Sequence, residues 1–217
     1  MNTTSDIADL RKEYTLLGLR REQLSPDPFV QFRSWFEESV RVAGSDEPNA
    51  MTLATAGKDG RPSARVVLLK GYGPNGFVFF TNYESRKAQQ LAGNPFAALS
   101  FYWPWLERQI QIEGTIDRVT REESEKYFNR RPKGSRLGAI VSRQSEVIPS
   151  RELLERRLAE LAATYAESDP PTPETWGGYR LAPDRFEFWQ GRENRLHDRF
   201  CYVRTSQNAW RIDRLSP

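Results

Sequence analysis

The chain has 217 residues, long enough to bury a core without disulfides or metals. Its single cysteine, Cys201, excludes an intrachain disulfide, and with one histidine, His197, a zinc centre of the usual Cys/His kind is excluded too. With 32 basic against 29 acidic residues the net charge is only +3, so the sequence demands no nucleic-acid partner.

The start, Met1 to Leu10, is polar, with acids at Asp6 and Asp9, and lacks both the basic and the apolar region of a secretory signal. No apolar run nears the ~18 residues of a membrane span. The expectation is a cytoplasmic protein that does not engage membranes. Across residues 6–21 the apolar spacing predicts a short helix broken near Gly18, forming an arm or lid. The expected division is an arm over residues 1–25 and a single domain over 26–217.

Asp27 followed by Pro28 reads as a helix start. Phe29, Phe32, Trp35, Phe36, Val40 and Ala43 recur at helical spacing as a core-facing stripe, and Gly44 ends the run. The period then changes. Met51–Ala56, Ser63–Lys70 and Gly76–Asn82 are β-rich runs separated by turn residues, which predicts two successive hairpins. The second connection, Gly71-Tyr72-Gly73-Pro74-Asn75-Gly76, also fits G-x-G-x-x-G. A dinucleotide-binding loop must open a helix, whereas Phe77-Val78-Phe79-Phe80 is strand, so that reading is rejected.

Glu84–Ala92 is a predicted helix with Ser85-Arg86-Lys87 in its first turn. Cations there oppose the helix dipole, an inconsistency that points to an anion received at that end. Strands follow at Phe96–Trp103 and Arg108–Val119; in the second, Ile110, Ile112, Gly114 and Ile116 alternate with polar residues. Thr120-Arg121-Glu122-Glu123 is a capping box opening a helix that Pro132 ends, and Leu137–Ser142 makes another short helix. Ser150 caps a helix to about Ala166, with Leu154, Leu158, Leu161 and Tyr165 facing inward, and Asp169-Pro170-Pro171-Thr172-Pro173 is a stiff linker. Gly178–Leu181, Arg185–Gln190, Arg199–Arg204 and Trp210–Leu215 close the chain as strands, with Cys201 a buried, inert thiol. Some nine strands in mostly sequential antiparallel order, with helices at the connections, predict a mainly β (α+β) fold. A small barrel is expected, since closure removes the sheet edges.

No Walker loop, G-x-S-x-G or His-Glu-x-x-His motif is present, and the lone His197 gives little ground for a triad. What remains is a set of anion receptors. Arg65 and Lys70 lie five apart on one predicted strand, hence on opposite faces. Arg86-Lys87 begins a helix; Tyr127, Arg131 and Ser135 surround a helix break; Gln144-Ser145 sits in a loop; Arg195, His197 and Arg199 lie in or beside the connection that follows Phe188-Trp189. Such groups suit two separate phosphates, each charge-assisted hydrogen bond contributing roughly 1.5–3 kcal/mol. Trp103, Tyr127 and Trp189 suit a flat phosphorylated ring. From the residues alone, a non-enzymatic anion- or RNA-binding barrel stays open.

Taken in order, Arg65-Val66-Val67-Leu68-Leu69-Lys70, Phe80-Thr81-Asn82 with Ser85-Arg86-Lys87, and Glu107-Arg108-Gln109 resemble successive motifs of the pyridoxine/pyridoxamine 5′-phosphate oxidase family. So do Tyr127-Phe128 with Arg131-Pro132, Gln144-Ser145, Trp176-Gly177-Gly178, Phe188-Trp189-Gln190-Gly191 with Arg195-Leu196-His197-Asp198-Arg199-Phe200, and Trp210 to Leu215. The resemblance runs from about residue 9 to the end. It implies a split β-barrel flavoprotein, a homodimer with FMN at the subunit interface. It also implies oxidation of pyridoxine or pyridoxamine 5′-phosphate to pyridoxal 5′-phosphate, with O2 reduced to hydrogen peroxide.

By motif, Arg65, Val66, Val67, Leu68, Leu69, Lys70, Phe80, Thr81, Arg86, Lys87, Gln109, Gln144, Ser145, Trp189 and Arg199 match FMN-contacting positions. Lys70, Tyr127, Arg131 and Ser135 match substrate-phosphate positions, and Arg195, Leu196 and His197 match the residues beside the substrate ring, with Arg195 and His197 expected to be catalytic. Arg11, Lys12, Glu13 and Tyr14 match a mobile segment that covers the site; Lys12 stands where many relatives have arginine, which keeps the charge but loses the planar fork. A reductase or flavin carrier of the same fold is the alternative, which the joint presence of Tyr127, Arg131, Ser135 and Arg195-Leu196-His197 argues against.

Overall fold

Among the described residues of the computed structural model (7, 13–44 and 46–217), nine strands share one sheet. In chain order they are β1 (Ala50–Ala56), β2 (Pro62–Leu68), β3 (Gly71–Gly73), β4 (Gly76–Asn82), β5 (Phe96–Trp103), β6 (Arg108–Arg118), β7 (Trp176–Gln190), β8 (Asp198–Arg204) and β9 (Trp210–Leu215). Helices α1 (Pro28–Val42), α2 (Arg86–Gly93), α3 (Arg121–Asn129), α4 (Lys133–Val141) and α5 (Arg151–Thr164) occupy the connections. The sheet order is β2-β1-β5-β6-β7-β4-β3, with β8 on β7 and β9 on β8. The described residues form two compact units: those up to Pro48 with Ser100–Ile112 and Asp184–Pro217 make the first, Asn49–Leu99 and Glu113–Pro183 the second.

In the first unit α1 forms where the sequence places it. The Asp27 carboxylate accepts the Phe29 N–H at 2.8 Å and Pro28 opens the helix. Its buried face carries Gln31, Phe32, Trp35 and Ser39, while Val40 of the predicted stripe is 52% exposed. Ser39 is buried instead, and its hydroxyl oxygen accepts from Trp105 Nε1 at 3.2 Å. Around this face lie Phe101, Trp103, Phe186, Phe188, Phe200 and Tyr202, a core of rings with Cys201 buried beside it. Burial pushes the Cys201 thiol above its ordinary range, which keeps it protonated and inert.

The short helix predicted over residues 6–21 is absent from residues 13–20, which are extended or irregular, and Arg21–Gln23 makes a 3₁₀ turn. Distant carboxylates take the amides a helix would have used. Leu16 N–H donates to Glu107 Oε2 at 3.1 Å and Leu19 N–H to Asp198 Oδ2 at 3.0 Å. The earlier part of that prediction, residues 6–12, lies outside the described residues except for Ile7.

In the second unit β1 and β2 pair as the first predicted hairpin, from Ala50↔Leu68 to Ala56↔Pro62. The second differs. β2 stops at Leu68, and it is the short β3 that pairs with β4, closing at Gly73↔Gly76. Gly76 sits at φ +118, and a Cβ there would meet Leu181 O at 2.0 Å. The G-x-G-x-x-G stretch is therefore a hairpin, not a phosphate loop.

β4 then pairs with β7 from Phe77↔Leu181 to Asn82↔Trp176. β7 merges two predicted strands across Pro183. Proline is tolerated there because pairing with β4 ends at Leu181 and pairing with β8 begins at Arg185. The strand count agrees with expectation only because this merger offsets the unforeseen β3.

The capping box at Thr120 and Glu123 forms as predicted. α4 begins four residues earlier than expected, because Pro132 as N-cap leaves the residues after it free to be helical. In α5 no residue is buried: Leu154, Leu161 and Tyr165 are half-buried and Leu158 is 38% exposed, so the predicted inward stripe covers no core among the described residues. The linker after it is anchored as well as stiff. Arg136 Nη2 pairs with Asp169 at 2.7 Å, and Arg121 Nη1 donates to Pro173 O at 2.9 Å.

The alternation predicted in β6 holds, with Ile110, Ile112, Gly114 and Ile116 all buried. A Cβ at Gly114 would come within 2.1 Å of Ala182 O and 2.8 Å of Pro183 Cα, both backbone atoms. Gly114→Ala is therefore expected to destabilise the protein by about 2–3 kcal/mol, measured as a lower urea midpoint. An unchanged midpoint would show that the β6–β7 approach is not tight.

Candidate active site

A cavity of about 810 Å³ lies wholly within the second unit, large enough for two phosphorylated ring compounds in part or whole. β2 contributes Arg65, Val66, Val67 and Leu68, the end of β4 gives Phe80, Thr81 and Asn82, and α2 gives Lys87. Tyr127, Arg131, Ser135, Gln144 and Trp176 complete the polar and aromatic lining. Lys70 lines the same cavity. The expectation that Arg65 and Lys70 face opposite sides fails because β2 ends at Leu68, so strand alternation no longer governs Lys70. Lys70 also lines a smaller neighbouring cleft of about 390 Å³, together with Phe80 and Tyr127.

At one end of the cavity the cations have neutral partners. Lys87 Nζ donates to Gln144 Oε1 at 2.6 Å, Thr81 Oγ1 at 3.0 Å and Ser85 Oγ at 3.3 Å. Arg65 Nη1 donates to Thr55 Oγ1 at 2.6 Å and Leu53 O at 3.0 Å, and its Nη2 to the Ser63 hydroxyl. Gln90, one turn beyond Lys87 on α2, accepts from the hydroxyls of Thr55 and Ser63 at 2.7 and 2.8 Å and so anchors that network. Burial, and secondarily the nearby Arg65 charge, lowers the Lys87 ammonium to about 8. Arg65 is lowered for the same first reason, with Arg86 as the second. Desolvated like charges without a carboxylate are an anion receptor in waiting. The Arg86 N–H at the start of α2 donates to Ser145 Oγ at 3.2 Å, which ties the Gln144-Ser145 loop to that helix end.

The other part of the cavity is built on stacked rings. Phe80 lies 4.1 Å from Tyr127 at 21° and 5.4 Å from Trp176 at 10°. The stack needs Gly178, whose Cβ would meet Phe80 Cε1 at 2.8 Å. Arg131 sits 5.0 Å from the Trp176 ring, and its Nη1 is buried without a hydrogen-bond partner. Leaving a buried donor unpaired costs about 1–3 kcal/mol or more for a charged group, which an incoming anion would recover. Ser135 is in the first turn of α4, which Arg136 fixes from behind through Asp169. The pairing holds the Asp169 carboxyl below its usual range.

The first unit holds the remaining expected residues. Gln109 lies on β6, Trp189 on β7 opposite Arg199 on β8, and the loop between carries Arg195, Leu196 and His197. Asn194 and Arg195 have positive φ, 54° and 61°, and fold the loop back on itself. His197 Nδ1 accepts the Arg192 backbone N–H at 3.1 Å. Its ring lies 4.7 Å from Trp189 and 5.7 Å from Tyr14, which meets Trp189 edge-on at 5.5 Å. Gly191 admits Tyr14, since a Cβ there would lie 2.6 Å from Tyr14 Cγ. Leu196 is 70% exposed and Glu13 is exposed. Arg11 and Lys12 lie outside the described residues.

Some expected ligand residues also have structural partners. Trp103 is buried in the first unit, its Nε1 donating to Pro48 O at 3.0 Å, and it is not among the residues lining the 810 Å³ cavity. Leu69 is buried in the second unit, its N–H bonded to Asn49 O. Arg199 pairs through Nη2 with Glu187 at 2.8 Å and donates from Nη1 to Ser216 O at 2.8 Å. Glu187 and Gln90 were missed by sequence reasoning. The signals were present: Glu187 alternates with Phe186 and Phe188 and stands beside Arg185, and Gln90 follows Lys87 at i+3. Among the described residues no group of three His, Cys, Asp or Glu side chains is placed to hold a metal, and no helix is long and apolar enough to cross a membrane.

Comparison with known proteins bears directly on this geometry. Residues 38–165 match the family described as pyridoxamine 5′-phosphate oxidase, and residues 176–217 match the pyridoxine 5′-phosphate oxidase C-terminal dimerisation region. The chain is 58% identical over 211 residues to the pyridoxine/pyridoxamine 5′-phosphate oxidase of Gloeothece citriformis, covering 97% of this chain and 98% of that protein. It is also 58% identical over 212 residues to that of Rubrobacter xylanophilus, covering 98% and 97%. Among solved structures, PhzG from Burkholderia lata in complex with tetrahydrophenazine-1-carboxylic acid aligns with TM-score 0.87 at 32% identity, over 95% of this chain and all of that one. A pyridoxamine 5′-phosphate oxidase-related, FMN-binding protein from Nostoc punctiforme shares the fold at TM-score 0.70 and 19% identity, covering 89% of this chain and 98% of that one. The split-barrel fold class expected from the sequence is thereby established, and the chain belongs to the pyridoxine/pyridoxamine 5′-phosphate oxidase family.

Proposed function

We propose that this protein is an FMN-dependent oxidase that converts pyridoxamine 5′-phosphate and pyridoxine 5′-phosphate to pyridoxal 5′-phosphate, working as a cytoplasmic homodimer with FMN at the subunit interface. The observation that carries the reading is the pairing, in one cavity, of two cationic groups whose donors lack carboxylate partners. Arg65 with Lys87 fits one phosphate, and Arg131 with Ser135 fits another. Bound FMN supplies the two-electron acceptor, and O2 takes those electrons to become hydrogen peroxide.

The chain's own part is binding and alignment, which is what this chemistry asks for. Arg65, Thr81, Lys87, Gln144 and the Arg86-Ser145 contact hold the cofactor. Lys70, Tyr127, Arg131 and Ser135 hold the substrate phosphate, the Phe80 stack giving that end a rigid aromatic wall. The family resemblance assigns Val66 to Leu69, Gln109, Trp189 and Arg199 to the cofactor as well. Arg195, Leu196 and His197 go to the substrate ring, with residues 1–25 as the covering arm that brings Arg11 to Tyr14. For the amine substrate, C4′ gives up two electrons with its proton, water supplies the aldehyde oxygen and ammonia departs.

Three outcomes test this. Purified protein reconstituted with FMN should be yellow, and pyridoxamine 5′-phosphate added without oxygen should bleach it; a colourless protein that FMN does not restore overturns the reading. Arg131→Ala should raise KM for pyridoxamine 5′-phosphate about tenfold or more with kcat little changed, whereas Arg195→Ala should keep FMN and lower kcat/KM about tenfold or more. An unaltered KM in the first, or unaltered kcat/KM in the second, removes that residue from the site.

The lowered Lys87 ammonium gives a pH signature. A phosphate prefers the protonated amine, and in the free protein Lys87 gives up its proton as pH rises through about 8. FMN affinity, followed by flavin fluorescence quenching, should therefore fall between about pH 7 and about pH 9, and Lys87→Met should bind more weakly with that dependence gone. A parent curve flat across this range would mean that Lys87 does not face the cofactor phosphate.

A further inference from the structure

Gln90 lies one turn along α2 from Lys87, on the same helix face, and is not among the residues lining the 810 Å³ cavity. We infer that Gln90 is a positioning residue that sets affinity for the ligand phosphate. Its amide oxygen takes the protons of Thr55 and Ser63, turns both hydroxyl oxygens toward Arg65, and so clamps that cation without neutralising it. The inference rests on the cofactor reading above in taking that phosphate to be the one on FMN.

The hydrogen bonds have a fixed direction. A guanidinium can only donate, so Thr55 Oγ1, 2.6 Å from Arg65 Nη1, and the Ser63 hydroxyl beside Nη2 must both accept. Each hydroxyl then has its own proton to give, and both find the same atom, Gln90 Oε1, at 2.7 and 2.8 Å. Turning the amide round would aim its NH2 group at the guanidinium, whose Nη2 lies 3.5 Å from Oε1, and would leave both hydroxyl protons unspent. The strands create the meeting point. Thr55 stands opposite Ser63 in the β1–β2 register, and Arg65, two residues past Ser63, shares its face. Arg65 is opposite Leu53, whose carbonyl takes the other bond from Nη1 at 3.0 Å. Both Nη groups are held in this way, and the Nε–H stays outside the clamp.

A glutamate at position 90 could accept from the same two hydroxyls. What the amide contributes is the absence of charge. A carboxylate here would pair with Arg65 and cancel the field that an anion needs, whereas the amide makes the same bonds and leaves the cation whole. This separates a role in binding from a role in packing. A residue that only tied α2 to the β1–β2 hairpin would, when altered, weaken stability and binding together. A residue that withholds charge moves the two in opposite directions.

The decisive variant is Gln90→Glu, which keeps both acceptor bonds and adds only the charge. In chloride buffer the Tm of the flavin-free variant should equal or exceed that of the parent, because Arg65 gains a partner. Its Kd for FMN, from flavin fluorescence quenching, should rise about tenfold or more, while its Kd for riboflavin, which lacks the phosphate, stays within about twofold. Parent-like FMN affinity, equal losses for both flavins, or a lowered Tm accompanying weaker binding overturns the inference. Gln90→Leu removes the acceptor and should weaken FMN binding about threefold to tenfold alone, with no further loss beside Arg65→Met; additive losses would show that Gln90 does not act through Arg65. Inorganic phosphate supplies a flavin-free arm. It should raise the Tm of the parent above that in chloride at equal ionic strength, and this rise should vanish in Gln90→Glu. An equal rise in both proteins, or none in the parent, overturns the inference. If the parent responds to phosphate as expected but binds no FMN, the proposed function fails and the role of Gln90 stands.

Discussion

Desolvated positive charge without a carboxylate is the constraint on which the second unit depends. Lys87 and Arg65 spend their hydrogen bonds on hydroxyls, an amide oxygen and a backbone carbonyl, and Arg131 keeps one buried donor unpaired. Each contact orients a cation without neutralising it. The unit therefore folds around a repulsion that only an anion relieves, so ligand binding and stability are coupled by mass action. The aromatic stack, which Gly178 admits against Phe80, walls the same cavity.

Arginine serves a different purpose in the first unit. Arg108 pairs with Glu38, donates from Nε to Gln190 Oε1 at 2.8 Å and lies 4.4 Å over the Trp35 ring. Arg185 and Arg199 share Glu187, and Arg192 and Arg214 share Asp198. These pairs join strands and a helix around a core of rings, and removing the partner of Arg108 or of Glu187 would leave a buried charge unpaired. The same residue type is thus neutralised by carboxylates in the first unit and left without them around the cavity of the second.

Much of the fold was legible in the sequence because local chemistry decides it. The Asp27-Pro28 start, the Thr120–Glu123 capping box, the β6 alternation and the β1–β2 turn all depend on residues within a few positions of one another. What escaped depends on distant partners. The arm lost its helix to the Glu107 and Asp198 carboxylates, Pro183 was accommodated where β7 changes partners, and Lys70 reached the cavity because β2 stopped two residues short. For the site, ordered motifs identified most of the second-unit lining, while Trp103 was misassigned because a buried tryptophan and a ligand-facing one look alike in sequence. Gln90 and Glu187 went unnoticed because neutral and acidic supporters carry no motif of their own.

The linker from Asp169 to Pro173 has a consequence beyond connecting α5 to β7. Its carboxylate holds Arg136, its carbonyls hold Arg121, and Arg136 stands next to Ser135 in the first turn of α4. If Ser135 holds the substrate phosphate as proposed, substrate affinity has a control point in this linker, whose residues do not line the cavity. Sequence drift there can adjust how firmly α4 is presented while every cavity residue stays fixed, which gives natural variation a way to tune the enzyme without rebuilding its pocket.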